Sequence, residues 1–196
     1  MVARLAAQLL AVACVLLMAG CAALSAPEPA FPERAGLDAF ELDGRFTLRQ
    51  EARSYSGRLN WTHSAVGDEL LLSSPFGQGI AEVVNSAVGA RLTTAEGKVF
   101  EAADVETLTE EVLGYSLPLR WLADWVRGRA GTGSARFDEA GRLARLHHQS
   151  WRIDYEYRDP APGAPPARLL VTRGDEFELR LAIEAWRSLL PEGTQP

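Results

Sequence analysis

The stretch Leu70-Leu71-Leu72-Ser73-Ser74-Pro75-Phe76-Gly77-Gln78-Gly79-Ile80-Ala81-Glu82-Val83-Val84 decides how the rest of the chain is read. An apolar run ends in Ser-Ser-Pro, a second extended run begins after Gly79, and one large hydrophobe sits between them among turn-forming residues. Proline fixes its own φ and pushes Ser74 out of the helical region, while Gly77 and Gly79 supply backbone freedom. The pattern predicts a hairpin with Phe76 at a protruding tip. A phenylalanine there either folds back onto the sheet or meets something apolar outside the protein.

Upstream of the hairpin, Leu42 to Arg49 places Leu42, Phe46 and Leu48 on one face, and Tyr55 to His63 places Tyr55, Leu59 and Trp61 together. Two such alternating runs predict paired strands. A short helix is expected over Glu33 to Ala39, with Leu37 and Phe40 as anchors. Downstream, short extended pieces near Ala90–Thr94 and Lys98–Phe100 continue an antiparallel meander, and then the period changes.

Asp104 is a good N-cap; Val105, Leu108 and Val112 share one helical stripe, and Gly114 closes the helix. A second helix is predicted from Pro118 to Gly128, carrying Leu119, Leu122, Trp125 and Val126 on one side, with Trp121 and Trp125 four residues apart. This helical insert should cover something large and apolar. Strands resume at Ala135–Phe137, Leu143–Gln149, Trp151–Tyr157, Arg168–Thr172 and Glu176–Ile183, with Trp186 beyond.

About ten to eleven short strands with one-faced alternation predict a mainly β fold with a helical insert: a strongly curved antiparallel sheet or an incomplete barrel. Leu59, Trp61, Trp151, Ile153, Tyr155, Phe177, Leu179 and Ile183 would line its inner side. Periodicity leaves open whether they form a filled core or a hydrophobic cavity.

The chain has 196 residues and a formal net charge of −6 with no basic cluster, so a single domain over residues 33–188 is expected and a nucleic-acid partner is not. Residues 1–20 read as a signal peptide: Arg4 opens it, Leu5 to Met18 is apolar, and Leu17-Met18-Ala19-Gly20-Cys21 resembles a bacterial lipobox. Cys21 is then the acylated first residue of the mature protein. Cys14 would leave with the signal, so no internal disulfide is available. Residues 21–32 read as the lipidated cysteine and a flexible linker, and residues 189–196 as a disordered tail. Ala22 stands where Asp would retain a bacterial lipoprotein in the inner membrane, which implies the outer membrane, facing the periplasm.

Motifs for chemistry are missing. No nucleophile elbow, phosphate loop, dinucleotide fingerprint or His-Glu-x-x-His occurs, and adjacent His147 and His148 would point to opposite faces of a strand. The expectation is a protein that is not an enzyme, with no catalytic residue, metal or cofactor.

Gly44-Arg45-Phe46, Leu59-Asn60-Trp61, the hairpin through Gly77, Leu113-Gly114-Tyr115-Ser116-Leu117-Pro118-Leu119 leading to Trp125-Val126-Arg127-Gly128, and Trp151-Arg152-Ile153-Asp154-Tyr155 together resemble the LolB family. The pieces occur in the right order over nearly all of the mature chain. The resemblance implies an unclosed antiparallel β-barrel with an α-helical lid around a hydrophobic cavity. It implies an outer-membrane lipoprotein that takes acylated lipoproteins from the periplasmic carrier LolA and inserts them into the bilayer. The family's exposed loop hydrophobe, usually Leu, falls on Phe76, so Pro75, Phe76 and Gly77 become the membrane-inserting loop. The acyl-binding cavity is expected to be lined by Leu59, Trp61, Leu71, Trp121, Trp125, Trp151, Ile153, Tyr155, Leu179 and Ile183. Expected partners are a LolA-like carrier, lipoprotein cargo and the outer-membrane bilayer, met by a monomer. Two alternatives stay open: a structural or assembly lipoprotein, and a simple lipid-binding lipoprotein.

Overall fold

The computed structural model describes residues 38–51 and 53–189. The signal peptide, Cys21, the linker, most of the Glu33–Ala39 helix and nearly all of the tail lie outside the described residues. Among the described residues, eleven antiparallel strands form one sheet: β1 (Phe40–Gln50), β2 (Arg53–Ser64), β3 (Gly67–Ser73), β4 (Gly79–Ser86), β5 (Gly89–Thr94), β6 (Val99–Ala102), β7 (Ser134–Phe137), β8 (Leu143–His148), β9 (Trp151–Glu156), β10 (Arg168–Arg173) and β11 (Phe177–Ser188). Their order is β6-β5-β4-β3-β2-β1-β11-β10-β9-β8-β7, so the first and last strands pair in the middle. Strands β6 and β7 are the two edges, and the sheet is an unclosed barrel. Helices α1 (Val105–Leu113) and α2 (Leu119–Val126) lie between those edges in sequence.

Pairing sets which side chains face inward. Leu42 opposes Trp61, Trp61 opposes Leu70, and Leu70 opposes Val83; Leu169 opposes both Leu181 and Tyr155, and Val171 both Leu179 and Ile153. Because successive residues alternate faces, these rows are apolar while their neighbours Arg45, Arg58, Glu82, Asp154, Arg168 and Arg180 belong to the outer face. Gly57 interrupts the inner row. A Cβ there would lie 2.3 Å from the Ser73 carbonyl oxygen and 3.2 Å from the Phe46 ring, so only glycine lets Phe46 pack across the strand pair.

The structure moves two sequence boundaries. Phe40 is the first residue of β1 rather than a helix anchor, preceded by a bend at Asp38 and Ala39. Its ring packs edge-on against Trp61 at 5.4 Å and Trp186 at 5.2 Å. Strand β11 accordingly runs past Ile183 to Ser188, crossing an irregularity where Asp43 pairs with Ala185 and Gly44 with Ile183. That irregularity breaks the period-2 pattern, which is why the alternation in the sequence stops short of Trp186.

Both helices follow their capping signals. The Asp104 carboxylate accepts from the Thr107 backbone N–H at 2.7 Å, and Gly114 is left-handed at φ 74° with its N–H donating to the Glu110 carbonyl. Helix α2 begins one residue after Pro118 and ends before Gly128, which has φ 69°. Leu119, Ala123, Trp125 and Val126 are its buried residues. Together with Val105 and Leu108 of α1 they join the sheet's inner face in one hydrophobic cluster.

Candidate functional site

Two regions carry features that the fold alone does not require. The first is the β3–β4 connection. The Ser74 N–H donates to the Gln78 carbonyl at 2.7 Å, the Gly77 N–H to the Ser74 carbonyl at 2.9 Å, and the Gln78 N–H to the Ser74 hydroxyl at 3.2 Å. Gly77 takes φ 85°, a conformation a β-branched residue would resist. These bonds fix the backbone and leave Phe76 with nothing to pack on: it is 94% exposed. The folded-back alternative is therefore excluded.

The second region is the interior under the helices. Trp125 lies 5.8 Å from Trp151, which meets Phe177 at 5.2 Å; Tyr115, in the helix–helix connection, stacks on Phe177 at 4.7 Å. Trp121 packs on His148 at 4.4 Å and sits half-buried at the rim. Burial pushes the Tyr115 phenol upward, and the nearby Arg173 guanidinium pulls it the other way. Ile153, Leu146 and Val171 behind this layer are almost fully buried. The inner face is thus closed over by α1 and α2.

Helix α2 is held at its C-terminal end by charge. Arg127 is buried; it donates to the Ala123 carbonyl at 2.9 Å and to Asp124 at 2.7 Å, and its guanidinium lies 3.8 Å from Asp38. Burial lowers its pKa, opposed by the two aspartates. A cation capping the negative end of a helix is favourable, and here it also ties the lid to the start of β1.

The family profile described as Outer membrane lipoprotein LolB matches residues 38–186, the sheet and both helices together. The chain belongs to the LolB family. Outer-membrane lipoprotein LolB of Dechloromonas aromatica (strain RCB) is 45% identical over 179 residues, covering 88% of this chain and 93% of that one. The protein of the same name from Thiobacillus denitrificans (strain ATCC 25259 / T1) is 37% identical over 175 residues, covering 87% and 92%. A LolA-superfamily crystal structure from Nitrosomonas europaea superposes with a TM-score of 0.47 at 7% identity, covering 82% of this chain and 93% of that one.

Of the residues expected to line the acyl-binding cavity, Leu59, Trp61, Trp125, Trp151, Ile153, Tyr155, Leu179 and Ile183 are buried and share one cluster, with Trp121 packed against it. Leu71 is the exception. It opposes Asn60 and Glu82 on the outer face and is 45% exposed, because in the Leu70-Leu71-Leu72 run only the outer two residues point inward. Unbroken apolar runs hide their own alternation. Pro75, Phe76 and Gly77 are all exposed at the tip.

Sequence reasoning overlooked Asp68, which is buried and accepts from Trp61 Nε1 at 2.9 Å and Asn85 Nδ2 at 3.2 Å, with His63 Nδ1 at 2.7 Å. The signal was present: Asp68 falls on the inward phase of β3, between Gly67 and the leucines. It also overlooked Arg173, whose guanidinium lies 5.1 Å above Tyr115 and 5.6 Å above Trp151. As the last residue of β10 it read as an ordinary turn flank.

Proposed function

We propose that this chain accepts acylated lipoproteins from a LolA-type periplasmic carrier and inserts them into the outer membrane, to which Cys21 anchors it through its own acyl chains. The observation that supports this reading is the apolar inner face of an unclosed sheet, against which, among the described residues, two short helices pack that join its two edge strands in sequence.

No covalent step is needed. A cargo acyl chain enters by taking the place of lid side chains against the inner face. Roughly 0.8 kcal/mol per buried methylene puts a long chain on the order of 12 kcal/mol gross. Undocking Leu119, Trp125 and Val126 costs roughly 1.5–3 kcal/mol for each side chain. The two quantities are of the same order, so occupancy is tunable in both directions. A chain can enter from a weaker carrier and still leave for a bilayer, where it is buried without any lid to displace.

Phe76 supplies the direction. Transfer of one such side chain from water to an apolar phase is worth roughly 1.5–3 kcal/mol, enough to orient the domain toward lipid and too little to hold it there. Holding is the task of the acylated Cys21, since several chains on one residue anchor far more firmly than one.

The test is transfer of an acylated lipoprotein from its soluble carrier to the full-length lipidated chain in liposomes. Wild-type chain should draw cargo from the carrier and leave it membrane-inserted. Phe76→Glu should draw cargo at the wild-type rate and fail to insert it. Normal insertion by Phe76→Glu would remove the tip from the mechanism, and no uptake by the wild-type chain would remove the carrier reading itself.

A further inference from the structure

A cleft of about 740 Å³ opens where both helices begin. It is bounded by the α1 N-cap Asp104 and by Glu106 of the first α1 turn, Arg120 and Trp121 of α2, the β8–β9 turn at Gln149 and Ser150, and Trp151 with Arg173. Asn85 of β4 closes it from the other flank of the sheet. The cleft therefore joins the two halves of the unclosed barrel beside the lid.

Three observations give this cleft a chemistry. Arg120 and Arg173 are exposed, and among the described residues neither has a carboxylate within 4.0 Å, a property shared with Arg53, Arg136 and Arg158, whereas Arg45, Arg58, Arg127, Arg129, Arg142 and Arg145 each have one; of the five, Arg120 and Arg173 are the two that border this cleft. Arg173 stands over the faces of Tyr115 and Trp151, and directly beneath these rings lies Phe177, which is buried. Polarity thus falls steeply from guanidinium to aromatic wall to aliphatic interior. The rim also offers acceptors, since Glu106, Gln149 and Ser150 share it; Asp104 is already engaged with Thr107.

A free polyanion fits this rim poorly, because carboxylates stand among its donors. A neutral head rich in carbonyl oxygens and carrying amide N–H groups, with hydrocarbon below, fits both. Each guanidinium has five N–H donors and no acceptor, so it can donate to several ester and amide carbonyl oxygens at once. Resting on the carrier function proposed above, we propose that Arg120 and Arg173 bind the ester and amide carbonyls of the cargo's acylated glyceryl-cysteine at this rim, while its acyl chains pass inward beside Trp151. The cleft would hold the head of the cargo lipid in register as the lid gives way.

The test uses the full-length chain in nanodiscs and two triacylated cysteinyl peptides, one with a diazirine in the glyceryl head and one with a diazirine at an acyl terminus. Head labelling should map to the rim around Ser150 and Arg173, and tail labelling to the interior around Ile153. Arg120→Met with Arg173→Met should cut head labelling at least fivefold and leave tail labelling within twofold, and the corresponding Lys pair should restore part of the loss. Head labelling elsewhere, or unchanged in the Met pair, overturns the proposal while the carrier reading stands. Equal rim labelling by a head-tagged phosphatidylcholine would assign the cleft to membrane lipid and also overturn it. If neither peptide labels the wild-type chain, the carrier reading fails first, so the two failures are distinguishable.

Discussion

The tip at Phe76 and the seam at Trp151 are both built around large aromatic side chains, and they treat them in opposite ways. At the seam, Trp151 is held by Tyr115, Trp125 and Phe177 and is 4% exposed. At the tip, hydrogen bonds fix the backbone and Phe76 touches nothing. A hydrophobe held by packing contributes to folding; one held out by its backbone contributes nothing to folding and is available to something else. The contrast separates an aromatic residue that packing holds from one that it does not.

The seam should be the more expensive place to cut. Trp151→Ala removes the ring shared by the lid and the β9 strand, and a buried tryptophan truncated to alanine typically costs about 3–5 kcal/mol. Urea unfolding followed by circular dichroism should show that loss as a lower midpoint at unchanged slope. A cost below about 1 kcal/mol would mean the helices are not docked in solution, and the seam would then resemble the tip.

A smaller loss is expected at the other aromatic cluster, where Phe40, Trp61, His63 and Trp186 meet. Here a polar centre accompanies the packing. Asp68→Ala strips the acceptor from Trp61 Nε1 and Asn85 Nδ2. Leaving a buried donor unsatisfied costs about 1–3 kcal/mol, so the same denaturation measurement should fall in that range. Asp68→Asn, which keeps one oxygen acceptor, should lose less.

The two regions were also unequally legible in the sequence. The tip was readable because Ser-Ser-Pro-Phe-Gly encodes its conformation locally, and the helices because Asp104, Gly114 and Gly128 punctuate them. Strand alternation gave the inner face of β2, β9 and β11, where apolar and polar residues take turns. It failed at Leu71, inside an unbroken apolar run, and at Trp186, beyond the irregularity in β11. The rim was invisible for a different reason. Arg120, Gln149 and Arg173 are far apart in sequence, and each has an ordinary local role; only the closure of the fold places them around one cleft. Whether the interior is filled or hollow was not decidable from periodicity; in the structure Leu119, Trp125 and Val126 pack against the inner face.

A pH measurement sharpens the role of the lid. Hydrogen bonding from Thr107 holds the Asp104 carboxyl below its ordinary value of 3.8. A carboxylate with a depressed folded-state pKa stabilises the fold fully above its unfolded value and loses that contribution as pH falls through the folded one. Asp104→Asn keeps an N-cap that does not titrate. The stability advantage of the wild type over Asp104→Asn should therefore shrink below about pH 4 and be flat from pH 5 to 8. The effect is small, because the group is exposed. A difference growing toward acid would contradict the cap assignment.

The smallest effect should come from the most conspicuous residue. Phe76→Ala deletes a side chain that buries almost nothing, on a loop whose turn is set by Ser74, Pro75 and Gly77 rather than by the ring. Surface substitutions of this kind fall within about 0.5 kcal/mol of neutral, so thermal and urea midpoints should match the wild type. Binding to liposomes is where the ring should register, because its removal forfeits the roughly 1.5–3 kcal/mol available on entering lipid, about tenfold to a hundredfold in partition. A measurable loss of fold stability, with liposome binding unchanged, would place Phe76 in the same class as Trp151 and erase the distinction between the two regions.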